Sequence, residues 1–241
     1  SYTLTGQSSE FILDLIVSAD QGSFTLSGQD TELTKALNIS AGTGTFTLTG
    51  QDVGVNVFNI IDANVGTFTL TGQDINVNAF NLIAGTGTFT LTGQDASINV
   101  FNLVAGTGSF ALTGQDVTLN KAIEVSANVG TFSLTGQDVE FNEGIDAALA
   151  SGSFSLTGQD AGFILGQGIN LDQGSFTLTG QDVTLSKVLV LDSQQGSFSL
   201  TGQDVDFAKD LNVTADSASF TLTGQDINEG ISEVFERGTF A

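Results

Sequence analysis

Apolar and polar residues alternate in a short segment that returns throughout the chain. In Thr45-Phe46-Thr47-Leu48-Thr49 the Phe and Leu stand two apart with hydroxyl residues around them. That period of two predicts a strand with one apolar and one hydroxyl face. A Gly-Gln pair closes each copy, at Gly6, Gly28, Gly50, Gly72, Gly93, Gly114, Gly136, Gly158, Gly180, Gly202 and Gly224, spaced by 22 residues apart from two gaps of 21. Four residues before each glycine stands an aromatic (Tyr2, Phe24, Phe46, Phe68, Phe89 and onward to Phe220), and two before it stands Leu in every copy (Leu4, Leu26, Leu48, Leu70, Leu91 and onward to Leu222). The glycine predicts a corner where a missing Cβ permits left-handed or close-packed backbone, and the Asp beside it is suited to bond local amides. Apolar residues then recur three and five positions past the glycine, as in Val53 and Val55 or Ile75 and Val77, and predict a second strand. Asn56, Asn78, Asn99, Asn120 and Asn142 mark another corner, and apolar residues nine and eleven past the glycine, such as Leu37 and Ile39, predict a third short strand before a small or polar loop.

Near-identical residues at a fixed period are what a parallel β-solenoid requires, since each coil lies on the previous one and every residue stacks on its own equivalent. The expected fold is therefore all-β, a parallel β-solenoid of about eleven 22-residue coils, forming a single repeat array over residues 1–241. At about 4.8 Å per coil the rod would be on the order of 50 Å long. Phe24, Phe46, Phe68 and Phe89 with Leu26, Leu48, Leu70 and Leu91 are expected to fill the interior. Buried columns of Gln29, Gln51, Gln73 and Gln94, and of Asn56, Asn78 and Asn99, are expected to pass amide hydrogen bonds from coil to coil. The two 21-residue gaps fit a one-residue deletion in the loops near Ala84 and Ala105. Two other folds compete: a stack of antiparallel hairpins turning at Gly-Gln-Asp, and a helix-containing repeat prompted by the spacing of Phe11, Ile12, Leu15 and Ile16.

Composition narrows the chemistry. The 241 residues include no Cys, His, Met, Trp or Pro, one Tyr, 19 Phe and 30 Gly. Without His or Cys there is no Ser-His-Asp triad, thiol nucleophile, Cys/His zinc site or disulfide framework, and the expectation is that the chain is not an enzyme. A carboxylate-only glycosidase would need one distinguished Asp/Glu pair, and repetition distinguishes none. Net charge is −22, from 27 acidic residues against Lys35, Lys121, Lys187, Lys209 and Arg237. That balance repels nucleic-acid phosphates and anionic headgroups, and no apolar run approaches the roughly 20 residues of a membrane span. No nucleic-acid or membrane partner is expected.

Asp follows Gly-Gln in ten copies: Asp30, Asp52, Asp74, Asp95, Asp116, Asp138, Asp160, Asp182, Asp204 and Asp226. Stacked carboxylates repel even at water's dielectric constant, so the column needs compensation. One source is an Asx-type bond from each carboxylate to a corner amide. The other is a row of Ca²⁺ ions, although one carboxylate per coil is few for an ion that takes six to eight oxygens. Otherwise no cofactor is expected. Thr45, Thr47 and Thr49, with Thr67, Thr69 and Thr71 above them, form a hydroxyl face suited to a second rod or to glycans, and similar in layout to the ice-binding face of β-solenoid antifreeze proteins. Asn38-Ile39-Ser40 and Asn212-Val213-Thr214 are formal glycosylation sequons.

The copy at about 225–241 is atypical, with Glu229 and Glu233 at positions apolar elsewhere and Arg237 beyond them. Ser1 in place of Met points to processing, a fragment or a window cut from a longer array. Because Ser1 to Gly6 and Gly238 to Ala241 share one phase of the repeat, subunits are expected to stack head to tail, with Tyr2, Leu4, Phe235 and Phe240 at the junction. The motif G-[ST]-[FY]-x-L-T-G-Q-D resembles the 22-residue repeats, commonly written G-S-[FY]-x-L-T-G-Q, of proteins encoded among the structural and tail genes of tailed bacteriophages. The resemblance covers essentially the whole chain; the variable half is Arg-rich in many such proteins and Asn-rich and acidic here. It implies a structural fibre or appendage on the virion surface, with a cell-surface receptor or glycan as the kind of partner. A secreted bacterial matrix or adhesin filament is the other expectation, similar to curli in coil length and in Gln and Asn ladders but without the curli repeat pattern.

Overall fold

The structure, a computed structural model, describes residues 2–12, 16–19, 21–41, 43–63, 65–127, 129–142, 145–164, 167–186, 189–207, 211–215, 219–228 and 239–240. These residues form a β-solenoid with coils of about 22 residues. One strand per repeat, such as Thr45–Thr49, joins a parallel sheet of twelve strands, here called the Phe sheet. The rest of each coil supplies a second parallel sheet of sixteen strands, the Val sheet. Every strand in the Phe sheet pairs with its equivalent one repeat away, Phe on Phe and Leu on Leu, as in Phe46↔Phe68 and Leu48↔Leu70. This parallel register excludes the antiparallel hairpin stack. No helix occurs among the described residues; Phe11 and Ile12 lie in the strand Ser8–Ile12 and Ile16 in Ile16–Ala19, whereas Leu15 lies outside the described residues.

The core follows from the alternation. Leu26, Leu48, Leu70 and Leu91 are fully buried, Phe24 and Phe46 nearly so, and Phe68 and Phe89 lie under them at 1 % exposure. Val53, Val55, Ile75, Val77, Ala96 and Ile98 close the interior from the Val sheet. Burying one such side chain is worth roughly 1.5–3 kcal/mol, and the repeat collects this in every coil. From Phe24 to Phe198 the rings form one stack with centroids 4.7–5.0 Å apart and planes within 3–7° of parallel. The spacing is that of neighbouring strands. The rings therefore lie nearly parallel, one above the next, along the whole described stack. Thr31 is the one polar side chain buried among the described residues, at a site that holds Val in the next coil. Its Oγ1 reaches the Thr49 carbonyl at 3.4 Å, a long contact.

Two details differ from the sequence reading. The corner expected at the Asn positions is not a break between sheets: Asp30–Ala41, Asp52–Ala63, Asp74–Ala84, Asp95–Ala105 and Asp116–Ala127 each run through it as one strand. In the first coil and from Asp138–Asn142 onward the described strands stop on either side of this position, and the residues between them lie outside the described residues. The ladder absorbs the bend as a bulge-like irregularity. The one-residue deletions also sit at this bend and not in the loops near Ala84 and Ala105. Register jumps between Asn56 and Ile61 where the coils of Asp52 and Asp74 meet, and between Asn99 and Phe101 where those of Asp95 and Asp116 meet. Beyond each jump it recovers, with Ala63↔Ala84 and Ala105↔Ala127, so the three-residue loops keep one length. Loops stacked on one another cannot shorten singly without losing bonds such as Thr88 N to the Gly66 carbonyl.

The corner glycines are chosen by close approach, with no left-handed backbone at the positions where contacts are resolved. A Cβ on Gly72 would lie 3.0 Å from the Gln51 carbonyl oxygen of the preceding coil, and one on Gly136 would lie 2.9 Å from that of Gln115. Gly162, within the strand Asp160–Ile164, is different: its nearest neighbour would be the Glu140 Cγ at 3.8 Å. Gly136→Ala is therefore expected to lower thermal stability by about 1–3 kcal/mol. Gly162→Ala should leave stability unchanged or raise it by about 0.4–1 kcal/mol. Thermal and denaturant unfolding of the two variants checks the contrast.

Candidate functional surfaces

The Gly-Gln corner joins the Phe sheet to the Val sheet without interrupting the backbone ladder. The Gly50 amide donates to the Thr71 carbonyl at 3.0 Å, while the Gln51 and Asp52 amides both donate to the Gln29 carbonyl at 2.5 and 3.1 Å. The same pair of bonds recurs onto Gln51, Gln73 and Gln94. One carbonyl with two lone pairs thus accepts two amides, and a Cβ on the glycine would crowd that oxygen. This corrects two expectations. The side chains of Gln29, Gln51, Gln73 and Gln94 are exposed, so this column contributes its backbone and makes no buried amide ladder. The corner amides are already taken by a carbonyl, leaving the Asx-type role for the Asp carboxylates without a donor.

The Asn column does carry side-chain bonds. Asn78 Nδ2 donates to Asn56 Oδ1 at 2.6 Å, Asn99 Nδ2 to Asn78 Oδ1 at 2.6 Å, and Asn142 Nδ2 to Asn120 Oδ1 at 3.1 Å. Each amide donates one way and accepts the other, so identical residues satisfy one another. The amides are half-buried, where an unmet donor costs more than at the surface. At one end Asn56 Nδ2 donates to Glu32 Oε1 at 3.0 Å; at the other, Asn142 faces Ile164 in register and the column stops. The Glu32 contact was not foreseen, because it crosses from one column to the next.

The ten aspartates Asp30, Asp52, Asp74, Asp95, Asp116, Asp138, Asp160, Asp182, Asp204 and Asp226 are exposed and pair in register along one edge of the Val sheet. Glu32, Glu140 and Asp206 stand two residues further on, also exposed. Beside Gly162, which lacks a side chain, Asp138, Asp160, Asp182 and Glu140 line a shallow open recess. Among the described residues no group of three or more acidic side chains is gathered closely enough to hold a metal ion.

On the Phe sheet Thr45, Thr49, Thr67 and Thr71 are exposed and Thr47 and Thr69 half-buried, the middle column being flanked on both sides. Tyr2 pairs with Phe24, Leu4 with Leu26, and Phe240 with Phe220; Phe235 lies outside the described residues, as do Glu229, Glu233 and Arg237. The sequon residues Asn38 and Asn212 lie in the strands Asp30–Ala41 and Leu211–Ala215. Comparison of the chain with family models, with curated proteins and with solved structures finds no match.

Two outcomes are expected. Asn78→Ala removes a donor to Asn56 and an acceptor from Asn99, and should cost about 1–3 kcal/mol in denaturant unfolding. Asp160→Asn removes a charge lying between Asp138 and Asp182, and should raise the thermal midpoint at low salt. That gain should shrink toward 1 M NaCl, where the Debye length is about 3 Å, as a salt series of unfolding scans will read.

Proposed function

We propose that this chain is a structural, non-catalytic, fibre-forming protein whose coils stack head to tail with those of further copies. The observation that carries this reading is the equivalence of successive coils: each described strand of the Phe sheet pairs in register with its counterpart one repeat away, and Leu26 through Leu200 are fully buried between them. In the Phe sheet the pairing is the same at every described step, aromatic on aromatic, so a coil from another chain would meet that sheet as well as a coil from the same chain.

The repeat motif supports placing the fibre among bacteriophage virion appendages, as a tail or head fibre outside the cell. The Asn ladder favours a second setting, a secreted bacterial matrix or adhesin filament, since amide ladders stabilise stacks of in-register strands. In either setting the protein supplies length, stiffness and a repeated surface. The acidic column needs no metal in this reading, because its carboxylates face water.

Electron microscopy of the purified chain at several concentrations, with and without a calcium chelator, tests the proposal. Filaments with an axial repeat near ~50 Å that survive chelation are expected. Leu4→Glu, which puts a charge into the Leu column in the first described coil, should shorten them. Isolated rods one chain long at every concentration would overturn head-to-tail stacking, and filaments that dissolve in chelator would transfer the cohesion to metal-bridged aspartates.

A further inference from the structure

The geometry points to the outer face of the Phe sheet as a docking surface for a second copy of this chain, with two rods lying face to face. This pairing is lateral and does not depend on head-to-tail stacking. Three observations on this face lead to it.

The first is charge. On a chain of net charge −22, every outward residue of the described Phe-sheet strands is Thr or Ser, apart from Ala111. The Val sheet presents the aspartate column and Glu32, Glu140 and Asp206 instead. Two copies can therefore meet through the Phe sheet without bringing carboxylates together, and through the described part of the Val sheet they cannot.

The second is shape. Each described strand of the Phe sheet pairs in register with its equivalent one repeat away, so the outward hydroxyl residues line up in continuous columns along the rod. The face is corrugated by rows of hydroxyl side chains at the coil spacing of about 4.8 Å. An occupant that fits the corrugation along the whole rod must repeat at the same spacing, which another copy does and a globular surface does not.

The third is area. Five-residue strands span about 16 Å, and about eleven of them stack to about 50 Å, giving roughly 800 Å². A stable protein interface buries about 800 Å² on each partner. Hydroxyls are both donors and acceptors, so columns of Thr and Ser can satisfy one another when water leaves, which keeps the desolvation cost low. A two-fold arrangement uses the same patch on both rods and closes the assembly as a pair.

Mass per unit length, measured by scanning transmission electron microscopy and checked by sedimentation velocity, tests this independently of rod length. Wild type is expected to show two chains per ~50 Å of rod. The double variant T69E/S155E, with charges in the middle hydroxyl column, should halve that to one. T184E/N76E adds the same charge to the outer face of the Val sheet and should leave it at two, with circular dichroism reporting intact strand content in both. One chain per ~50 Å in wild type, or two chains retained in folded T69E/S155E, would overturn the proposal. Discrete rods of doubled mass would support lateral pairing while removing head-to-tail stacking; long filaments of single mass would do the reverse.

Discussion

Backbone hydrogen bonds set successive coils one strand spacing apart, and that distance governs nearly everything else. At 4.7–5.0 Å between ring centres, the neighbour that fills the space along the axis beside a Phe is another ring lying nearly parallel to it, and a smaller residue would leave a void. A larger or differently shaped residue would have to displace the coil above it and strain the ladder. The invariance of the Phe and Leu positions is thus a packing requirement imposed by spacing, and so is the glycine at the corner. There the constraint is a carbonyl: the Gln oxygen that holds two amides of the following coil occupies the space a Cβ would need. Gly, Gln and Asp act as a unit through their backbones, whatever their side chains do.

The same constraint creates a problem that the chain solves by placement. Stacking like on like is harmless for Leu and favourable for Asn, whose amide donates on one side and accepts on the other. For Asp it brings together like charges with no partner in the column. The aspartates lie where water screens them, and the opposite sheet is kept free of charge altogether. A rod built in this way has one face that repels its own kind and one that does not. That asymmetry follows from where a single residue stands relative to one corner.

The coil period, the strands of the Phe sheet and the buried Phe, Leu and Val columns were legible in the sequence, because Phe, Leu and Val repeat in phase with the alternation of strand faces; the continuous strand through the Asn positions was not. The exposure of the glutamines was not. Gln and Asn look alike as ladder formers, and only the corner geometry shows that Gln29 to Gln94 act through their carbonyls while Asn56 to Asn99 act through their amides. The position of the one-residue deletions was hidden for a related reason. A loop is the usual place to lose a residue, but these three-residue loops are themselves hydrogen-bonded coil to coil, and the bend after the Asn column is the more permissive site. The contact between Asn56 and Glu32 joins two columns and leaves no periodic trace.

Because the strands run across the rod, the hydrogen bonds between coils point along its axis. A tensile load applied evenly to the ends of the rod falls on all the bonds of a coil at once, which must break together. A load applied through a free end of the chain concentrates on one residue at a time and peels the outermost coil from its neighbour. The same molecule is thus strong when gripped by its end faces and weak when pulled by its terminus, so its mechanical endurance depends on how it is anchored.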